Sequence, residues 1–138
     1  MSLKVDYDAI AVGAGFAGLA LIHHLRKLDI SVRVFDKASD IGGTWTWNRY
    51  PGAATDSEGY YYCLTFSKEI MQEWTWSERY PGWEETHRYL HFVADKCNMW
   101  PDIQLNTEIV SAEFQNDTGS WLVKTSDGEQ FSCKYFIS

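Results

Sequence analysis

"AVGAGFAGLALIHHL", Ala11 to Leu25, sets Gly13, Gly15 and Gly18 at G-x-G-x-x-G spacing directly before an apolar helical pattern. What flanks it decides the fold. "VDYDAIAV", Val5 to Val12, alternates and then turns continuously apolar, as a strand buried on both faces does. From Phe16 to Leu28, Leu19, Ile22 and Leu25 recur at helical spacing with small Ala17 and Ala20 between them, and Asp29 closes the helix. Ile30 to Phe35, "ISVRVF", alternates and is β-branched, which predicts a second strand. Strand, glycine turn, helix and strand form a βαβ unit.

Each glycine answers a separate demand. Gly13 suits the tight turn, Gly15 lets the main chain approach a diphosphate, and Gly18 brings helix against strand. The phosphates would rest where the helix begins, at Gly15 and Phe16, because free N–H groups and the helix dipole favour an anion. Asp36, ending the second strand, is placed to accept from ribose hydroxyls, with Lys37 beside it in the same candidate site. An acid there disfavours a 2′-phosphate, so the adenosine half of FAD or NAD fits better than NADP. The alternative is a glycine-rich turn of another α/β fold that binds nothing.

Composition narrows the class. The 138 residues suit one domain, and 45% hydrophobic with 22% charged residues reads as globular, although seven Trp must find places in a core or around a flat ligand. The net charge is −7 and the twelve Lys and Arg are scattered, which argues against nucleic acid as a partner. The apolar runs are too short to span a bilayer, and "MSLKVDYD" carries two acids where a signal peptide has a basic start, so no membrane partner and a cytoplasmic location are expected. Three cysteines without a C-x-x-C pair fit structural thiols in a reducing compartment.

Downstream, "KASDIGGTWTWNRYPGAATDSEGYYYC" reads as a loop with functional content. Glu84 to Asn98 is an amphipathic helix, with Leu90, Val93, Ala94 and Cys97 on one stripe and acids in its first turn. "IQLNTEIVSAEFQ" predicts one or two strands, "NDTG" a turn, and "SWLVKTSDGEQFSCKYFIS" a hairpin across Asp127-Gly128. The expected fold is α/β and Rossmann-like: three layers, a parallel sheet with the βαβ unit, and a β-hairpin or meander. "KYFIS" ends the chain inside a predicted buried strand, so residues 1–138 are expected to be the front portion of a longer polypeptide, incomplete at the C-terminus. Trp74, Trp76 and Trp83 read as packing and surface residues. His87 and His91 share a helix face, but with no third ligand in view no metal is assigned. His23 and His24, being adjacent, face different ways.

"GGTWTWNRYPGAATD", Gly42 to Asp56, separates FAD from NAD, because a flavin site must wrap a planar, partly apolar ring system. Together with "GAGFAGL", the acid ending the second strand and "WLVKTSDG...YFIS", this loop resembles the N-terminal FAD-binding part of Baeyer–Villiger monooxygenases, the class B flavin monooxygenases. The resemblance runs over essentially the whole chain. It implies FAD reduced by NADPH, O₂ added at the flavin C4a carbon as a peroxide, and a ketone converted to an ester or lactone. Gly13, Gly15 and Gly18 would then cradle the FAD diphosphate and Asp36 its ribose. Gly43, Thr44, Trp45, Thr46 and Trp47 would line the flavin, Tyr62 would lie close to it, and Ile109 would meet the adenine through its backbone. Ala54, Thr55 and Asp56 would border the nicotinamide side, with Asp56 the catalytic residue that fixes an arginine from the NADPH-binding domain. That domain and its arginine are absent from these 138 residues. The resemblance leaves open an enzyme that oxygenates nitrogen or sulfur, and a non-catalytic FAD-binding module. Core packing for Trp45 and Trp47, and a turn cap for Asp56, are the plainer readings.

Overall fold

The structure is a computed structural model, and it describes residues 4–138. In chain order it contains β1 (Tyr7–Val12), α1 (Phe16–Lys27), β2 (Val32–Phe35), α2 (Thr44–Trp47), α3 (Lys68–Glu73) and α4 (Trp83–Lys96). A 3₁₀ turn at Trp100–Asp102 leads to β3 (Ile103–Gln104), β4 (Ile109–Gln115), β5 (Ser120–Thr125) and β6 (Gln130–Ile137). One six-stranded sheet runs β3-β2-β1-β6-β5-β4. β1 pairs in parallel with β2 and β6, and β2 with β3. β4, β5 and β6 form an antiparallel meander, so the expected hairpin is the arm that returns the chain to the centre of the parallel sheet.

The alternation read in β1 sorts its side chains between two clusters. Ala9 and Ala11, with Val32 and Val34 of β2, join Leu19 and Ile22 of α1 and Leu90 and Val93 of α4 in the main core. Ile10 and Phe35 belong to a second cluster with Val123 and Cys133 of the meander. Full burial of the Val, Leu, Ile and Phe side chains among these contributes about 1.5–3 kcal/mol each. β1 is also latched to β6 by polar groups: Asp6 accepts from the Ser132 main chain at 2.7 Å, and Lys134 donates to Asp8 at 2.6 Å.

Helix ends follow local chemistry. Asp29 adopts a positive φ of 55° just beyond α1, where the sequence puts its stop. Arg26, in the last turn of α1, donates to Asp102 at 2.7 Å and to the carbonyls of Cys97 and Asn98, tying that end to the end of α4. The aromatic excess is mostly packing: Trp74 and Trp76 meet Tyr89 at ring separations of 5.3 and 4.9 Å. Burial pushes the Tyr89 phenol up to about 12, while its oxygen accepts from Leu64 N–H at 2.8 Å.

Three details differ from the sequence reading. The glycine-aromatic stretch contains the single helical turn α2, and α3, capped by Ser67, lies where no periodic signal marks a helix. Both early strands start two residues later than expected, at Tyr7 and Val32, and α4 covers Trp83–Lys96. Such shifts are ordinary at element ends, where pairing partners rather than local propensity set the limit.

Cys133 is fully buried at the β1–β6 seam, and burial pushes its thiol up to about 11. At pH 8 it should therefore remain a protonated, inaccessible thiol. In a thiol titration with an aromatic disulfide reagent, Cys133 is expected to react only on unfolding; rapid modification in the native protein would contradict this packing.

Candidate functional site

The site is built at the carboxyl ends of β1 and β2, at the strand from which the chain order runs both ways. Gly13 turns the chain with φ 103°. A Cβ on Gly18 would lie 2.1 Å from the Gly13 carbonyl oxygen, so only glycine lets α1 start this close to β1. A Cβ on Gly15 would lie 3.3 Å from the Gly43 Cα. The second glycine pair is therefore docked onto the first glycine turn.

The Ala14 peptide joins the two loops. Its N–H donates to Asp36 Oδ2 at 2.7 Å, and its carbonyl accepts from Gly42 N–H at 2.9 Å. Asp36 Oδ1 accepts from Ala38 N–H at 2.9 Å, so the buried carboxylate fixes both the turn and its own loop. Each oxygen keeps a further acceptor direction for a ligand hydroxyl.

Two adjoining cavities follow this framework, one of about 310 Å³ and one of about 440 Å³. Both are lined by Val12, Gly13, Gly43 and Thr44, so they form one trough. Asp36, Lys37, Trp47 and Ile109 line one end, while Gly15, Phe16, Gly18, Trp45 and Tyr62 line the other. α1 begins there without a side-chain cap or an acid in its first turn, which leaves N–H groups and the positive dipole end for an anion. Trp45 is buried and meets Tyr62 edge-on at 5.7 Å, and Tyr62 in turn meets Phe16 at 5.0 Å. Trp47 is 59% exposed at the rim, with the Lys37 ammonium 5.9 Å from its ring.

Four predicted residues lie elsewhere. Thr46 does not line the trough; its hydroxyl donates to the Ile41 carbonyl at 2.6 Å and closes the loop. Ala54 lines a separate cavity of about 470 Å³ with Glu78, Glu84 and Arg88. Thr55 is buried and donates to the Ser57 carbonyl at 2.8 Å. Asp56 is exposed and lines neither cavity of the trough. Conversely, the trough recruits Thr107 and Glu108, which the sequence did not point to. Thr107 N–H donates to the Asp36 carbonyl at 3.0 Å, a contact made across the sheet edge and without local signature.

The fold is α/β of the Rossmann-like class, and the family model for the NAD(P)-binding Rossmann-like domain matches residues 12–74. The chain is 47% identical over 131 residues to an acetone monooxygenase (methyl acetate-forming) of Gordonia sp. (strain TY-5), covering 95% of this chain and 25% of that protein. It is 45% identical over 136 residues to phenazine N-monooxygenase PhzNO1 of Lysobacter antibioticus, covering 98% of this chain and 25% of that one. A solved oxidized steroid monooxygenase bound to NADP superposes with a TM-score of 0.93 at 42% identity, over 96% of this chain and 26% of that chain. Further relatives are named as Baeyer–Villiger, cyclohexanone and FAD-binding monooxygenases. Over nearly its whole length the chain is thus similar to part of these monooxygenases, and it spans about a quarter of the length of the relatives it matches.

Proposed function

We propose that residues 1–138 are the FAD-binding portion of an NADPH- and O₂-dependent monooxygenase that converts a ketone to an ester or lactone. One observation carries the choice of cofactor: two adjoining cavities that share Val12, Gly13, Gly43 and Thr44 extend together from Asp36 and Ile109, past the start of α1, to Trp45 and Tyr62. Adenosine fits the acidic end, a diphosphate the helix start, and a flat ring system the aromatic end. Gly13 leaves open space on its Cβ side among the described residues, as a main chain that meets a ligand directly requires.

Bound FAD would supply the redox and oxygen-activating chemistry. The protein's own work is positional. Asp36 holds the Ala14 peptide and presents acceptors to ribose, the first turn of α1 neutralises diphosphate charge, and Trp45 with Tyr62 walls the ring end from water. Lys37 and Trp47 close the rim. Asp56 is assigned to the reacting side through the family resemblance, and its exposure leaves the carboxylate accessible to a cation from another segment. NADPH binding is assigned to sequence outside these residues, and cytoplasm is the proposed location. No helix among the described residues is long and apolar enough to cross a membrane.

The 45% identity to a phenazine N-monooxygenase favours a second reading, oxygenation of nitrogen by the same cofactor. The first test is the visible spectrum of the purified chain after incubation with FAD and desalting. Retained oxidised-flavin absorbance, released on denaturation, is the expected result. A colourless protein that takes up no FAD despite a folded circular dichroism spectrum would contradict the proposal.

A further inference from the structure

We propose that Asp40, His87 and His91 form a binding site for a divalent transition-metal ion of the zinc type. His87 and His91 lie four residues apart on α4, one above the other, and Asp40 reaches them from the loop between β2 and α2. His87 Nε2 lies 3.2 Å from Asp40 Oδ2, and His91 Nε2 lies 2.9 Å from Asp40 Oδ1. One donor atom from each of the three residues falls within 4.8 Å of the others. Two imidazoles and a carboxylate are a ligand set that suits zinc, with metal–ligand bonds of about 2.0–2.2 Å and adjacent ligands about 3.3 Å apart in a tetrahedron. The carboxylate–imidazole separations, each to a different oxygen of Asp40, are already close to that value, and the three donors would draw together from within 4.8 Å to seat an ion.

A plain ion pair explains the cluster less well. Both Nε2 atoms are buried, yet neither makes an aligned hydrogen bond with Asp40 or with any other described group. Such orphaned atoms are costly in a partly dry site, and a shared cation between the three residues would satisfy both together. Arg49 adds an opposing positive charge near His87, but its guanidinium is engaged by the Thr46 carbonyl and the Trp83 ring. The side chains of His91 and Asp40 are 34% and 31% exposed, which gives an ion entry and leaves a coordination position for water.

The site adjoins the trough without forming part of it. A Cβ on Gly42 would lie 2.8 Å from His87 Cδ2, so the imidazole packs directly on the second glycine pair. An ion would therefore fasten α4 to the loop that Gly42 and Gly43 dock on the first turn.

The test uses the chelator-treated chain, titrated with Zn²⁺ by calorimetry and with Co²⁺ by visible absorption, both without FAD. One equivalent of saturable binding, Co²⁺ ligand-field bands of a low-coordinate site and a zinc-dependent rise in Tm are expected. Losing an outer-shell partner alone costs about 10–100-fold in metal affinity. His91→Ala and the more conservative Asp40→Asn, checked for folding by circular dichroism, are therefore expected to weaken binding at least about 100-fold, while His23→Ala leaves it unchanged. No saturable binding by the parent chain, or unchanged binding by folded His91→Ala and Asp40→Asn, would overturn the proposal.

Discussion

Gly18→Ala is expected to give a protein that no longer retains FAD and is less stable by about 1–3 kcal/mol or more, the range for forcing a methyl group into packed space. The added carbon would sit 2.1 Å from the Gly13 carbonyl and 3.4 Å from a Val34 methyl. The carbonyl is main chain at the turn itself, so relief requires α1 to move away from β1. The anion-binding start of the helix then moves with it. Gly13→Ala offers a useful contrast, since its Cβ meets open space and only the φ of 103° is strained, at about 1–3 kcal/mol. Denaturant unfolding and the flavin-to-protein absorbance ratio measure both effects. Full flavin retention by Gly18→Ala would show that the helix start does not hold the diphosphate.

Asp36→Ala removes the acceptor of two N–H groups, those of Ala14 and Ala38, at residues that are 0% and 3% exposed. Each orphaned donor costs about 1–3 kcal/mol, so the variant is expected to be among the least stable of single changes in this chain. Asp36→Asn is a sharper probe. Its amide keeps one acceptor oxygen but turns an NH₂ toward the other N–H, so its stability should fall between that of the parent protein and that of Asp36→Ala. FAD affinity should fall in both variants, because the ribose acceptor and the Ala14 clamp are lost or weakened together. A stable Asp36→Ala protein with unchanged FAD affinity would remove this residue from the site.

Much of the framework was legible because it rests on local chemistry. The glycine spacing, the apolar run of β1 and the helical repeat of Leu19 and Ile22 reflect constraints that act within a few residues of one another. The aromatic loop was legible only in part: Trp45 lines the trough, but Thr46 turns inward to Ile41, a choice made by one hydrogen bond. Thr107 and Glu108 reach the trough because β3 lies beside β2, and that neighbourhood is a fact of topology. Asp40 was invisible as a partner of His87 and His91 for the same reason, since the loop fold that brings it to α4 leaves no periodic trace. Asp56 marks a different case, where the family position suggested a role but the exposed side chain meets no partner in the trough.

The pairing of β1 with β6 carries a consequence for how the chain acquires its shape. Tyr7 is registered opposite Cys133, and the Asp6–Ser132 bonds span 126 positions. Closing so long a loop delays the reward for ordering it, and topologies rich in distant contacts fold slowly. During synthesis β1 emerges well before β6 and can acquire this neighbour only when the sequence as far as β6 has followed. Until then one edge of the strand that feeds the glycine turn is open to wrong partners, which makes the unfinished chain the species most in need of protection.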